Sequence, residues 1–150
     1  MKILEYFNTV NKDYWLKQIS KSDWRAGQFL HYLLKENKLC ELIGDGARVL
    51  LLVEDDELIA FCTLAKMDDI QPTDLTPWIG WIYTFPEHRG NRYAGKLIAY
   101  AEKLAEQDGA KAVHISTNHI GLYEKYGYEF LATMKDIEGE DSRVYRKKLK

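Results

Sequence analysis

The sequence predicts an α/β (α+β) protein with a mixed central β-sheet of about six to seven strands flanked by helices. Two β-rich runs, 48–53 and 58–65, are separated only by the acidic link Glu54–Glu57, a spacing typical of an antiparallel hairpin. An aromatic strand at 78–84, a long amphipathic helix and a strand at 112–116 then follow one another. This order implies a parallel pair joined by a crossover, and both kinds of pairing in one chain indicate a mixed sheet.

The segment before the hairpin contains a first strand and two helices. Lys2–Phe7 is a β-rich run, and a short amphipathic helix starts near Asn11. Ser22 is the expected N-cap of the second helix, which extends to Asn37. The apolar residues of this helix recur at helical spacing and predict its buried stripe: Ala26, Phe29, Leu30, Leu33 and Leu34.

The helix after the aromatic strand has the most regular pattern in the chain. Its apolar residues predict one buried face: Ala94, Leu97, Ile98, Ala101, Leu104 and Ala105. Gly109 suits the C-terminal cap of this helix. Further on we expect a short helix at 121–126 ended by Gly127, and then two strands, 128–137 and 143–149, joined by a polar turn.

Length and composition are those of a single domain, residues 1–150, in which 46% of the residues are hydrophobic. The 21 basic and 23 acidic residues give a net charge of -2, which argues against general binding of nucleic acid or membranes. No run approaches the ~18–20 apolar residues that span a bilayer, and the N-terminus lacks a signal-like core, so we expect a cytoplasmic protein. Cys40 and Cys62 belong to no CxxC or Cys/His cluster, which favours buried thiols and predicts no metal site.

The segment Phe85–Lys96, FPEHRGNRYAGK, predicts an anion-binding loop. A strand ends at Pro86, and a Gly-rich basic loop leads directly into the helix. The first N–H groups of a helix are unpaired and lie at the positive end of its dipole, and Arg89, Arg92 and Lys96 add positive charge. We therefore expect a phosphorylated ligand here. For this segment taken alone, a solvated loop with ordinary surface charge is the alternative.

The stretch Gly90–Lys96 also matches the G-x-x-x-x-G-K part of a nucleotide-binding P-loop. Two observations argue against an NTPase. Leu97 stands where a hydroxyl is needed to hold Mg²⁺. Residues 97–150 are also too few for the parallel sheet that such a fold builds after its first loop.

The order of the elements and two motifs resemble the GNAT superfamily of acetyl-CoA-dependent N-acetyltransferases, over nearly the whole chain. The family's main motif, Arg or Gln, two residues, Gly, any residue, then Gly or Ala, lies over Arg89–Ala94. Arg92 stands where the family usually has Gly, and inside a helical first turn an Arg is sterically acceptable. The second motif, Leu122–Tyr128, is similar to the family's LYEKxGF segment.

The resemblance implies a binding site for acetyl-CoA. The loop amides would hold the pyrophosphate, and the main chain of Ile82, Tyr83 and Thr84 would pair with the pantetheine amides like an added strand. Asn118 is a candidate contact to the pantetheine arm, although Ser116–His119 departs from the family's usual pattern. The predicted cofactor-binding residues are Ile82, Tyr83, Thr84, Arg89, Gly90, Asn91, Arg92, Tyr93, Ala94, Gly95, Lys96 and Asn118.

The family reaction is a direct attack of an amine on the acetyl thioester, without a covalent acyl-enzyme. By resemblance, Tyr123 is the general acid that protonates the departing thiolate, and a backbone N–H near Ile82–Thr84 stabilises the oxyanion. Packing between helix and sheet is the alternative role for Tyr123. Trp78 occupies the place where many relatives carry a glutamate. The proton acceptor for the amine therefore stays open, and the candidates are Asp68, Asp69, His119 and a water chain.

The expected acceptor is a primary amine of a small molecule or, less favoured, of a peptide, and the protein is expected to be a monomer or homodimer without nucleic-acid or membrane partners. Trp24, Trp78 and Trp81 either shape an acceptor pocket through cation–π contacts or pack in the core. Two other functions stay open. One is a non-catalytic CoA-binding module, motivated by Arg92 and Trp78, and the other is an NTP-binding protein.

Overall fold

Seven strands form one mixed sheet in the computed structural model, which describes all 150 residues. The strands are β1 (Lys2–Glu5), β2 (Arg48–Glu54), β3 (Glu57–Ala65), β4 (Trp78–Thr84), β5 (Ala112–Thr117), β6 (Glu129–Lys135) and β7 (Asp141–Lys148). Their spatial order is β1-β2-β3-β4-β5-β7-β6, with β4 and β5 parallel and all other neighbours antiparallel. The predicted mixed sheet is confirmed, and β4 has the expected bounds.

Four helices accompany the sheet: α1 (Lys12–Ile19), α2 (Arg25–Lys35), α3 (Leu39–Ile43) and α4 (Tyr93–Gln107). Short 3-10 turns occur at Tyr6–Asn8, Pro86–His88 and Tyr123–Tyr126. The predicted helix at 121–126 is therefore a single 3-10 turn, ended as expected by Gly127, whose φ of +93° suits glycine. None of the helices is both long and apolar enough to cross a membrane.

Several local predictions near the N-terminus were wrong. The first strand ends at Glu5 because the chain turns into a 3-10 helix at Tyr6. Ser22 does not cap α2: the helix begins at Arg25, after an extended Trp24 whose N–H donates to the Ser22 hydroxyl at 3.1 Å. The short helix α3 was not predicted.

The predicted buried stripe of α2 is also only partly correct. Leu30, Leu33 and Leu34 are buried, but Phe29 is 42% exposed. Gly27 is buried instead, and it packs so closely on Ser22 that a side chain at this position would collide with it. The helix is thus rotated slightly from the face that the apolar spacing indicates, because a close contact to a neighbouring segment decides the buried side.

Helices cover both faces of the sheet. On one face α4 packs Leu97, Ile98 and Ala101 against the sheet, and on the other α1 and α2 pack against it. The side chains of β4 alternate between these faces. Ile79 and Ile82 lie on the α4 face, whereas Trp81 and Tyr83 belong to the cluster under α1 and α2.

The parallel strands β4 and β5 meet only where they begin. Trp78 opposite His114 is their one register pair. Beyond it β4 stays paired with β3 as far as Thr84, and β5 stays paired with β7 as far as Thr117, so the two strands separate. We call the opening between Gly80–Thr84 and Ile115–Thr117 the β4–β5 cleft.

A bulge in β4 accompanies this separation. Trp81 and Ile82 together occupy the register position opposite Cys62 of β3, and Trp81 has a left-handed φ of +48°. A bulge bends its strand and strengthens the local twist. The bulge therefore lies close to the point where β4 and β5 separate.

The start of α4 packs closely on the 3-10 turn that contains Tyr123. A Cβ placed on Gly95 would lie 2.8 Å from Cε1 of Tyr126, which is closer than carbon atoms approach without a clash. Gly95 therefore allows the helix to approach the Tyr123–Tyr126 turn. This contact joins the predicted anion-binding loop to the segment that carries the predicted general acid.

We expect Gly95→Ala to destabilise the protein by about 1–3 kcal/mol, because the new methyl group overpacks the contact with Tyr126. Helix propensity alone would favour alanine by about 0.5–1 kcal/mol, so the sign of the effect identifies the clash. Urea unfolding measures the difference. The matched control is Ala99→Gly at an exposed site of the same helix, which should cost only the propensity difference. A more stable Gly95→Ala variant would contradict the close packing of Gly95 against Tyr126.

Candidate active site

The loop between β4 and α4 is ordered by contacts of its own residues. The Arg89 Nε donates to the Thr84 carbonyl at 2.9 Å, and its guanidinium lies 5.5 Å from the ring centre of Tyr83. The Asn91 side-chain amide donates to the His88 carbonyl at 3.0 Å, and Gly90 has a φ of +87°. These contacts hold the loop in a tight turn at the end of β4.

Arg92 has a left-handed backbone, with φ of 60° and ψ of 29°, and is the N-cap of α4. The expectation that Arg92 lies within a helical first turn was therefore wrong. The chain must reverse direction here to enter α4, and this requires the conformation that glycine adopts most easily. A non-glycine residue costs about 1–2 kcal/mol in this region. The position thus has the backbone of a glycine and the charge of an arginine.

A continuous run of backbone N–H groups at this loop has no hydrogen-bond partner in the protein. The run extends over the six residues Gly90–Gly95, covering the loop and the first turn of α4. The exposed side chains of Arg92 and Lys96 lie beside these donors. The free N–H groups, the helix dipole and the two charges together form a site complementary to a multiply charged anion such as a diphosphate.

The main chain of Ile82, Tyr83 and Thr84 forms one wall of the β4–β5 cleft. One edge of this segment pairs with β3, and the edge toward β5 has no strand partner. The Tyr83 side chain points away into the α1–α2 core, where its hydroxyl donates to Asp23 Oδ1 at 2.5 Å. Only the backbone of Tyr83 is therefore available in the cleft, which suits an extended ligand that pairs like a strand.

Tyr123 lies on the α4 face, with 6% of its surface exposed. Its hydroxyl has no hydrogen bond to another protein group, unlike that of Tyr128, which donates to Glu102 Oε2 at 2.8 Å. Burial, with smaller contributions from Cys62 and Tyr126, raises the pKa of Tyr123 to about 12. The phenol therefore keeps its proton at neutral pH and has a free donor. Since Cys62 lies opposite the β4 bulge, the Tyr123 hydroxyl is close to the part of the cleft where β4 and β5 separate.

The three tryptophans of interest have different surroundings. Trp78 is fully buried, and its indole N–H donates to the Leu75 carbonyl at 2.7 Å, so it is a core residue. Trp24 stacks on Tyr83 with ring centres 5.6 Å apart, and the Trp81 indole donates to the Ala26 carbonyl at 2.6 Å. Trp24 and Trp81 are both partly exposed, so only these two can contribute to an acceptor surface.

Asn118 and His119 lie in the exposed turn after β5. The Asn118 side chain has no protein partner, which leaves it free to contact a ligand. The His119 N–H is bonded to the Thr117 hydroxyl at 3.1 Å, and its carbonyl accepts from Tyr145 at 3.4 Å. These bonds are those of a turn residue, and none of them involves the imidazole.

Asp68 and Asp69, in the loop after β3, form a carboxylate pair beside the cleft. Asp68 is 8% exposed and lies against Gly80 of β4, where any Cβ would collide with its carboxylate. Burial first, and then the negative charge of Asp69, raises the pKa of Asp68 to about 7. Burial also raises the pKa of Asp69. Sequence reasoning named both acids among several candidates but missed Gly80, whose role depends on a contact that no local pattern reveals.

Known proteins that match this chain share the acetyltransferase fold. A family model described as the acetyltransferase (GNAT) family matches residues 9–128. No curated protein matches the chain at a significant level. Among solved structures, a GNAT-family protein from Desulfovibrio desulfuricans is 17% identical, with a TM-score of 0.71 and 98% of each chain covered.

Two further solved structures are aminoglycoside acetyltransferases. The aminoglycoside 6'-N-acetyltransferase from Enterococcus faecium is 17% identical, with a TM-score of 0.66, covering 99% of this chain and 97% of its own. A structure of aminoglycoside 6'-N-acetyltransferase complexed with coenzyme A is 16% identical, with a TM-score of 0.67 and the same coverage. These likenesses concern the fold, whereas the family model extends over most of the sequence. The protein with this split sheet and this run of free loop amides belongs to the GNAT family of acetyltransferases.

Proposed function

We propose that the protein is an N-acetyltransferase that transfers the acetyl group of acetyl-CoA to a primary amine of a small molecule, by direct attack in a ternary complex. The observation that carries this proposal is the placement of three features around one cleft. Free loop amides lie at its end, the unpaired edge of β4 lies along its wall, and the Tyr123 hydroxyl lies on its α4 face.

Acetyl-CoA fits these features in one orientation. The pyrophosphate accepts hydrogen bonds from the N–H groups of Gly90–Gly95, with Arg89, Arg92 and Lys96 supplying charge. The pantetheine amides pair with Ile82–Thr84 in the place of the missing strand, and Asn118 lies on the opposite side, after β5. The thioester then reaches the bulge in β4.

The chemistry follows from this placement. The amine nitrogen attacks the thioester carbonyl, and a free N–H of the Ile82–Thr84 segment donates to the oxyanion. As the carbon–sulfur bond breaks, Tyr123 donates its proton to the thiolate. The acceptor must lose a proton before it attacks, and for a lysine-like amine at pH 7 this costs about 4.6 kcal/mol. Cys62 is not a nucleophile in this scheme, because burial raises the pKa of its thiol to about 12.

The acceptor class is supported by two observations. The aminoglycoside acetyltransferases among the structural neighbours act on small molecules that carry amines. The partly exposed rings of Trp24 and Trp81 lie on the face opposite α4, and aromatic faces attract cations by about 0.5–2 kcal/mol. A non-catalytic CoA-binding module is the second candidate, because the buried Trp78 supplies no carboxylate on β4.

The test is amine-dependent release of free CoA from acetyl-CoA, followed with a thiol reagent over a panel of primary amines. Release that depends on an acceptor supports the transferase and excludes the binding module. Stabilisation by acetyl-CoA of near 2.7 kcal/mol at ~100-fold excess over Kd, without turnover on any amine, would favour the module instead. Protection by Mg²⁺-ATP but not by CoA would overturn both.

We expect Tyr123→Phe to lower kcat by about 100-fold or more, since the departing thiolate loses its proton donor. The Kd of acetyl-CoA should change less than about 2-fold, because the ring still fills its place in the core. Steady-state kinetics and calorimetry separate the two effects. The matched control is Tyr100→Phe on α4, whose hydroxyl likewise bonds to no protein group and lies outside the proposed site. Equal kcat values for the two variants would remove Tyr123 from the mechanism.

We expect Arg92→Gly to weaken CoA binding by about 2- to 10-fold and to reduce the salt dependence of binding, because one charge near the diphosphate is lost. Glycine relieves the cost of the left-handed backbone but raises the entropy of the unfolded chain, and since these effects oppose each other the unfolding free energy should change by less than about 1 kcal/mol. Binding calorimetry at two salt concentrations measures the CoA affinity and its salt dependence, and urea unfolding measures the stability. Lys103→Gln, an exposed charge on α4 away from the loop, should leave CoA affinity unchanged. Unaltered affinity in Arg92→Gly would place the pyrophosphate elsewhere.

A further inference from the structure

The Asp68 carboxylate is buried on the sheet face opposite α4. Asp68 lies over Gly80, and Gly80 follows Ile79, whose side chain is on the α4 face. Since side chains alternate along a strand, a side chain at position 80 would point to the α1–α2 face, and Asp68 fills that space. Gly80 lies two residues after Trp78, the last residue paired with β5, and directly before the bulge. Asp68 thus lies at the narrow end of the β4–β5 cleft, where the two strands begin to separate.

The carboxylate pair is not neutralised by the protein. Neither Asp68 nor Asp69 forms an ion pair with a Lys, Arg or His. Asp68 is more than nine-tenths buried, and its only polar contact is its neighbour Asp69. The Asp69 Oδ1 atom is fully shielded and has no hydrogen-bond partner. A buried carboxylate without a partner is unfavourable by several kcal/mol, so either a proton shared within the pair or a bound cation would stabilise it.

The groups around the pair are also acidic or neutral. Asp136, in the turn between β6 and β7, faces Asp69. The Ser116 hydroxyl of β5 lies near Asp69 and is itself bonded to the Ser142 hydroxyl at 2.7 Å. The surroundings therefore provide negative charge and hydroxyl groups on both sides of the cleft, and these suit an ammonium group.

We propose that the Asp68–Asp69 pair receives the ammonium group of the acceptor and that Asp68 takes its proton, an inference that rests on the proposed acetyl transfer. The proton acceptor and the proton donor then lie on opposite faces of the same cleft, with Asp68 on the α1–α2 face and Tyr123 on the α4 face. The thioester between them is approached by the amine from one side and loses its thiolate toward the other.

The proton balance of the step is complete. The ammonium gives one proton to the Asp68 carboxylate, which later releases it to solvent. The neutral amine forms the carbon–nitrogen bond, the carbon–sulfur bond breaks, and the thiolate takes a proton from Tyr123. The second proton leaves the new amide nitrogen and restores Tyr123. The products are the acetylated amine, free CoA and one proton.

The ionisation of Asp68 matches this role. A lysine-like amine is neutral in roughly one molecule in 2,500 at pH 7, so a base near the substrate gains most if it is itself half ionised near neutral pH. Burial and the charge of Asp69 bring the pKa of Asp68 to about 7. Asp68 is therefore ionised above neutral pH, ready to accept a proton, and protonated below it.

The test compares two probes of one skeleton, benzylamine and O-benzylhydroxylamine, whose nitrogen is already neutral at pH 7. Asp68→Asn is expected to lower kcat/KM with benzylamine by about 100-fold at pH 7 and to abolish the rise in rate centred near pH 7. With O-benzylhydroxylamine, which needs no base, the loss should be below about 5-fold. Asp74→Asn, an exposed acid of the same loop, is the control and should match the wild type with both probes. Equal losses with both probes would overturn the proton transfer.

Binding of benzylamine to the CoA-loaded protein, measured by calorimetry, gives a readout without turnover. The wild type should bind it more tightly at pH 8 than at pH 6, and Asp68→Asn should weaken binding at pH 8 by about 10-fold or more. Binding that depends on Asp68 in a protein that releases no CoA would keep the ammonium site and refute the transferase. Turnover of benzylamine unaffected by Asp68→Asn, or no binding of benzylamine to the wild type, would refute the ammonium site.

The dependence of stability on pH reports the ionisation of Asp68 independently. Because its pKa is raised in the folded state, the folded protein binds more protons than the unfolded chain between about pH 4 and pH 7. The unfolding free energy of the wild type should therefore fall as pH rises through this window. Asp68→Asn should flatten that slope, and urea unfolding at pH 5 and pH 8 measures it. Parallel slopes for the two proteins would show that Asp68 titrates normally.

Discussion

The separation of β4 from β5 is the constraint on which the rest of the site depends. Two parallel strands that stayed paired would satisfy each other's backbone groups and leave no room for a ligand. Here the pairing stops at Trp78 and His114, and the bulge at Trp81 and Ile82 follows directly in β4. The sheet remains stable because each strand keeps its outer partner, β3 for β4 and β7 for β5. The cleft is therefore an opening within an otherwise continuous sheet, and its walls are the backbone of the sheet itself.

The groups around this cleft are arranged by charge, although the chain as a whole is nearly neutral. Positive charge and free N–H groups gather at the end of β4, where Gly90–Gly95 lead into α4. The buried Asp68 and the half-buried Asp69 lie at the narrow end of the cleft, on the opposite face from α4. A basic end with free N–H groups and an acidic narrow end suit the two substrates of the proposed acetyl transfer, a diphosphate-containing donor and an amine acceptor.

Glycines and a left-handed arginine mark the places where segments distant in sequence come together. Gly95 allows α4 to approach the turn that carries Tyr123, and Gly80 leaves space for Asp68. Arg92 adopts the backbone that glycine normally supplies, at a cost of about 1–2 kcal/mol, and places a guanidinium beside the free amides. Each contact joins two parts of the proposed site, so the packing of the fold and the geometry of that site depend on the same few residues.

The sequence by itself determined most of the elements, although not α3, because strand alternation, helical spacing and turn residues are local patterns. It predicted β4 to the residue, the hairpin of β2 and β3, and the helix α4. Only the tertiary structure decided the buried side of α2, the left-handed backbone of Arg92, the burial of Trp78 in the core and the contact of Asp68 with Gly80. The reason is physical: these features arise where segments far apart in the chain compete for the same space, and a pattern within one segment carries no record of its neighbours.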